Sequence, residues 1–120
     1  MLVLPGGMPG TTHLGECDVL TEQVCRFAHE GRQVAAICAA PTVLARLGLL
    51  EGRRATCFPD LQHVLMEHGA EVEQDSVVID GNIITSKGMG TAIPFGLAIV
   101  AFYRGQAFAD ELADKIVYGC

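Results

Sequence analysis

Residues 33–47 read Gln33-Val34-Ala35-Ala36-Ile37-Cys38-Ala39-Ala40-Pro41-Thr42-Val43-Leu44-Ala45-Arg46-Leu47. The run through Ile37 is short, apolar and free of polar alternation, as a strand buried on both faces of a parallel sheet would be. Pro41 suits the first turn of a helix, where its missing N–H is no loss. The stretch therefore predicts strand, tight turn and helix, with Cys38 at the turn. A nucleophile on such an elbow needs very small residues two positions away on each side, because the strained backbone presses those side chains against the sheet. Ala36 and Ala40 occupy both places. The turn also aims the sulfur toward the start of the helix, where free amide N–H groups favour negative charge. Amides of Ala39 and of the Gly6-Gly7 turn could converge on an oxygen developing beside the sulfur, with glycine allowing close approach. Spacing alone leaves two readings open: a reactive thiol, or a small buried hydrophobe of the kind free cysteine commonly is.

The same alternation extends in both directions. Met1-Leu2-Val3-Leu4 is an apolar run broken by Pro5-Gly6-Gly7, a second candidate strand end. From Glu16 to Glu30, Leu20, Val24 and Phe27 recur at helical spacing and Gly31 follows as a left-handed cap. Beyond the elbow, Gly48 stops the helix, Arg54-Ala55-Thr56-Cys57 reads as a short strand, and Pro59 opens a helix carrying Leu61, Val64 and Leu65 before Gly69. Ser76–Ile79 and Ile83–Thr85 flank Asp80-Gly81-Asn82, the chemistry of a β-hairpin turn. After Lys87-Gly88-Met89-Gly90 come an apolar helix, Thr91 to Tyr103, and an amphipathic one, Ala107 to Val117. Repeated strand–helix units predict an α/β sandwich with a mainly parallel sheet, whose ligands bind beyond the carboxyl ends of the strands. Cys38 and Gly6-Gly7 both lie at such ends.

Whole-chain properties narrow the function classes. A length of 120 residues suits one domain, 1–120. Half the residues are hydrophobic, and a mean hydropathy of +0.35 is high for a chain that must cover its own surface, which points to a face buried against a partner. Eight Lys and Arg against fourteen Asp and Glu give a net charge of −6 without a basic cluster, so no nucleic-acid partner is expected. No apolar run reaches the roughly 18–20 residues that a membrane span needs, so no membrane partner is expected. Five cysteines at 17, 25, 38, 57 and 120, with no C-x-x-C pair and no secretory leader, suggest neither a disulfide framework nor a zinc ribbon, and a cytoplasmic location is expected. His63 and His68 are five apart, which is not the spacing of a zinc helix, and no metal or other cofactor is expected. His13 follows the Gly-Gly loop and is a weak candidate for the pocket.

The segments LVLPGG (2–7), AAICAAP (35–41), TCFP (56–59), IITSKGMGT (83–91) and GLAIV (96–100) occur in the order and spacing seen in the ThiJ/PfpI family, which this chain resembles over nearly its whole length. The resemblance implies a flavodoxin-like sandwich with Cys38 as the reactive residue and Gly6, Gly7 and Ala39 lining its pocket. It implies glyoxalase or protein-deglycase activity on small aldehydes or glycated adducts, or instead an oxidisable Cys38 in a redox-sensing or chaperone-like protein with little turnover. A homodimer follows by the same analogy. Lys87 stands where relatives often carry arginine at the pocket mouth, so it reads either as a solvated lysine or as a cation for an anionic substrate or oxidised sulfur. The chain also departs from the family pattern. The opening strand–helix unit, whose glutamate sits beside the cysteine, is expected to be missing, leaving an N-terminally truncated fold. Phe58 replaces a histidine, and Ala39 stands where protease-like members carry one. Peptidase activity is therefore not expected, nor is glutaminase-like amidotransfer, because no histidine follows His68.

Overall fold

The structure, a computed structural model, describes residues 1–119; Cys120, read from sequence as an exposed terminal thiol, lies outside them. Strand β1 (Leu2–Leu4) is followed by helices α1 (Gly10–Glu16) and α2 (Asp18–His29). Then come β2 (Val34–Ile37), α3 (Pro41–Arg46) and β3 (Arg54–Ala55). A 3-10 turn at Pro59–Leu61 leads into α4 (Gln62–Glu67), β4 (Glu71–Val72) and the hairpin β5 (Val77–Asp80) and β6 (Ile83–Ser86). A second 3-10 turn, Met89–Thr91, opens α5 (Ala92–Arg104), and α6 (Gln106–Lys115) closes the order.

The main sheet runs β1-β2-β6-β5, parallel across its first three strands and antiparallel only at β5. This is the expected α/β sandwich. One face carries the larger core, in which Leu4, Val34, Ala36 and Ile83 of the strands meet Val24 of α2, Leu44 of α3 and Leu65 of α4. The opposite face is thinner: Ala35, Ile84 and Phe95 are buried there, with Ile37, Val77 and Ile99 packed at their margin. Strand period two explains the division, since neighbouring residues such as Ala35 and Ala36 must point to opposite faces. β2 is buried on both, which is why its sequence reads as an unbroken apolar run.

The hairpin forms as its turn chemistry requires. Asp80 pairs with Ile83, leaving Gly81 (φ 58°) and Asn82 as a two-residue loop. Asn82 also ties that loop to the chain after α2, its side-chain amide donating to the carbonyls of Ala28 (3.1 Å) and Arg32 (3.0 Å). Its Oδ1 accepts from Arg53 at 3.1 Å.

Three details differ from the sequence expectation. Helix begins earlier, at Gly10, and is interrupted at Cys17, whose backbone is extended (φ −85°, ψ 101°). The segment Arg54–Cys57 contributes only Arg54 and Ala55 to a strand, and this strand joins β4 in a separate two-stranded parallel sheet. β4 has no legible signal, because two residues are too few to show a period. Among the described residues no helix is long and apolar enough to cross a membrane.

Candidate functional site

Cys38 adopts φ 64°, a left-handed conformation that side chains other than glycine rarely take. Strain of this kind costs on the order of 1–3 kcal/mol and persists only where surrounding contacts impose it. They do so here. The Cys38 N–H donates to the Ser86 carbonyl (3.0 Å), and the Cys38 carbonyl accepts from the Phe58 N–H (2.8 Å). Ala40 N–H closes the turn on the Ile37 carbonyl (3.1 Å), and the Thr42 hydroxyl donates to the Ala39 carbonyl (2.6 Å). Ala36 and Ala40 are fully buried, as the elbow requires of residues two away from its apex.

Gly6 lies directly against this turn. A Cβ added to it would stand 2.5 Å from the Cys38 Cβ and 2.8 Å from the Ile37 carbonyl oxygen, so only glycine fits. Gly7 has φ 94°, and its carbonyl accepts from both the N–H (2.9 Å) and the hydroxyl (2.8 Å) of Thr11. These two bonds hold the loop onto the start of α1. Among the described residues the N–H groups of Gly7 and Ala39 make no hydrogen bond, and both residues line the larger cavity at Cys38.

Two cavities share Cys38. The first, about 350 Å³, sets Met8, Phe58 and Leu61 around the sulfur-bearing turn, with the exposed Asp60 also among its lining residues. The second, about 290 Å³, is bounded by Ile37, Met89 and Ala92 beside Gly6 and Gly7. Cys38 is half-buried between them, while Met8 (67% exposed), Phe58 (41%) and Met89 (92%) stand out into solvent around it. A third cavity, of about 250 Å³, lies between α1 and α3 against Thr12, Glu16 and Arg46, and holds no cysteine.

Cys57 sits one residue before Phe58 and is completely buried. Its thiol is pushed from an ordinary 9.0 up to about 12, first by burial and second by the negative charge of an ionised Cys38. It is a buried neutral thiol, donating to the Phe58 carbonyl at 3.3 Å.

Four of the five residues singled out in sequence, Cys38, Ala39, Gly6 and Gly7, thus come together on two adjacent strand ends. Lys87 does not join them: it is half-buried after β6, its N–H donates to the Ser76 carbonyl (3.4 Å), and it lines neither cavity at Cys38. His13 is exposed on α1 and also lines neither, and His68 turns its Nδ1 to the Val64 carbonyl at 2.9 Å. Among the described residues no three His, Cys, Asp or Glu side chains gather in a way that could hold a metal ion. Sequence reasoning missed Met8, Asp60, Leu61 and Met89 as wall residues, and Phe58 was noticed only for the histidine it replaces. Ser86 was missed too: its hydroxyl contacts the Ser76 carbonyl and the Thr91 hydroxyl, both at 2.7 Å, fixing the loop beside the elbow. No periodic signal marks such residues, although their placement in the loops after β1, β3 and β6 could have suggested them.

Comparison with known proteins agrees with this fold. Drosophila melanogaster Protein dj-1beta is 39% identical over 117 residues, which are 98% of this chain and 63% of the relative. Its crystal structure superposes with a TM-score of 0.92 at 37% identity, covering 98% of this chain and 63% of that one. The Caenorhabditis elegans protein named glutathione-independent glyoxalase DJR-1.2 is 40% identical over 116 residues, 97% of this chain and 61% of the relative. The structure described as oxidized Toxoplasma gondii DJ-1 gives a TM-score of 0.86 at 30% identity, covering 96% of this chain and 62% of that one. The chain therefore spans about three-fifths of the length of these three relatives. The family model described as DJ-1/PfpI matches residues 1–102, most of the chain and every element of the elbow, and on that match this chain belongs to the DJ-1/PfpI family.

Proposed function

We propose that this protein acts through Cys38 as a nucleophile toward small reactive aldehydes, a glyoxalase or deglycase type of chemistry. One observation carries the reading: a non-glycine residue held at φ 64° at the tip of β2, with the unpaired amides of Ala39 and Gly7 beside it. In the first step the sulfur forms a bond to the carbonyl carbon, and the π electron pair moves onto the carbonyl oxygen. That oxygen takes up the proton given by the thiol, leaving a hemithioacetal. The open N–H groups of Ala39 and Gly7 are the donors available to the oxygen while it is charged. For an α-oxoaldehyde, moving hydrogen from the sulfur-bearing carbon to its neighbour and adding water releases a hydroxy acid, with no external oxidant or reductant. Asp60 is the one titratable residue besides Cys38 among those lining the two cavities and is the proton carrier this reading assigns. The C. elegans relative named a glyoxalase supports the substrate class. The test is methylglyoxal consumption by the purified chain and by Cys38→Ala. A fall to the uncatalysed background in the variant is expected; equal rates for the two proteins would sink the proposal.

A second reading is favoured by the half-exposed Cys38 and by the relative solved in an oxidized state. A hydroperoxide would give one oxygen to the sulfur as its O–O bond breaks, leaving Cys38 as sulfenic acid and water or an alcohol as the other product. Peroxide titration followed by peptide mass spectrometry should then show oxygen added at Cys38, one atom for each hydroperoxide consumed, before any other described cysteine. The overall reading includes a homodimer, supported by exposed Ile93, Phe102, Tyr103 and Phe108 on α5 and α6. A cytoplasmic location also belongs to it, supported by the free state of all four described cysteines.

A further inference from the structure

We infer that the Cys38 site selects neutral electrophiles carrying an apolar substituent, aryl or branched alkyl, seated in the cavity beside Phe58. The inference rests on the reading of Cys38 as a nucleophile and adds to it the chemical class of the group attached to the carbonyl. Three observations carry it.

The Phe58 backbone is held close to the nucleophile, with its ring against the chain at Gly88. Its N–H is bound to the Cys38 carbonyl at 2.8 Å, Pro59 follows it, and its Cδ1 lies 3.7 Å from where a Cβ on Gly88 would be. One side of the ring therefore rests on the chain before α5, and 41% of the residue remains exposed next to Cys38. An ordered aromatic surface held partly bare beside a reactive atom gains free energy from any apolar group that covers it.

The surroundings repeat that chemistry. Leu61 continues the wall, and Met8 in the same cavity and Met89 in the adjoining one are exposed, flexible thioethers able to fold over substituents of different shape. A volume of about 350 Å³ is at the small end of ligand sites and accommodates a ring or branched chain.

Charge supplies the discrimination. Asp60 shares the wall with Phe58 and Leu61, and Lys87, the nearest sequence candidate for an anion partner, lines neither cavity. A carboxylate-bearing electrophile would meet a like charge there with no compensating cation.

The test uses one leaving group on three carriers: iodoacetate, iodoacetamide and N-phenyl iodoacetamide. In each case the sulfur forms a bond to carbon as iodide leaves with the bonding pair and the thiol proton passes to solvent. Rates are read as mass gain on the Cys38 peptide and divided by the rate of the same reagent with 2-mercaptoethanol. The phenyl reagent is expected to lead iodoacetate by about tenfold and iodoacetamide by a smaller factor. Phe58→Ala should bring the phenyl reagent and iodoacetamide within about twofold of each other, and Asp60→Asn should raise the iodoacetate rate alone. If Phe58→Ala does not fold, Leu61→Ala gives the same readout on the same wall. Equal normalised rates for the three reagents in the unmodified chain overturn the inference, as does a phenyl preference that survives in folded Phe58→Ala and Leu61→Ala. Methylglyoxal consumption is measured in parallel. Turnover without phenyl preference rejects the inference alone, whereas phenyl preference without turnover rejects the glyoxalase reading and leaves the ligand class standing.

Discussion

Gly6 is the residue on which the elbow most directly depends, because the Cys38 Cβ already occupies the space its own side chain would need. A Gly6→Ala chain should lose about 1–3 kcal/mol by denaturant unfolding, the usual cost of forcing extra volume into a packed place. It should also alkylate Cys38 at a changed rate, since relief of the clash must shift the strained turn. Unaltered stability and labelling would show that the loop after β1 can move away at no cost. Cys57 makes a separate, pH-dependent statement. Its thiol titrates near 9.0 in the unfolded chain and near 12 in the folded one, so between those values the unfolded state releases a proton that the folded state keeps. Folding stability therefore falls as pH rises from about 9 toward 12, and is unaffected by this group below 9. Unfolding curves across that range should be steeper functions of pH for the native sequence than for Cys57→Ala. Parallel pH profiles would mean that Cys57 reaches solvent in the folded chain.

At the scale of elements, α3 does two things: it carries the elbow away from β2, and it supplies Val43, Leu44 and Ala45 to the larger core. Leu44 is completely buried there, so Leu44→Ala should cost about 2–5 kcal/mol in chemical denaturation. A loss under 1 kcal/mol would indicate that the larger core collapses around the gap. The hairpin is anchored at its turn as well as along its strands, by the Asn82 bonds that cross to the chain after α2. That anchor also bears on the site, because β6 delivers the Ser86 carbonyl that receives the Cys38 N–H.

For the whole molecule, the unequal covering of the two sheet faces is the dominant feature. Helix α5 is apolar nearly all round, yet Phe95 is its sole buried residue, and Ile93, Phe102 and Tyr103 remain about half exposed. Val3, also half exposed, pairs in register with Ala35 and so points to that same thin face. Sedimentation at micromolar concentration is expected to give twice the 12.7 kDa chain mass, and Phe102→Glu to shift the distribution toward that mass. A monomer at every concentration would remove the homodimer from the reading. Much of this architecture was legible in order of sequence: the elbow from Ala36, Cys38 and Ala40, the hairpin from Gly81 and Asn82, the helix ends from Gly31, Gly48 and Gly69. These features are local, and steric limits on φ or the alternation of a buried strand write them directly into neighbouring residues. The sequence by itself thus determined the sandwich, the position of Cys38 on its tight turn and the glycine packed against it. Tertiary structure alone decided that β1 and β6 flank β2, that Arg54 and Ala55 leave the main sheet to pair with β4, that Lys87 stays outside the site, and that Met8, Phe58, Leu61 and Met89 enclose it. Those choices depend on which loops the strand order brings together across dozens of residues, and no local propensity encodes a contact between segments so far apart in the chain.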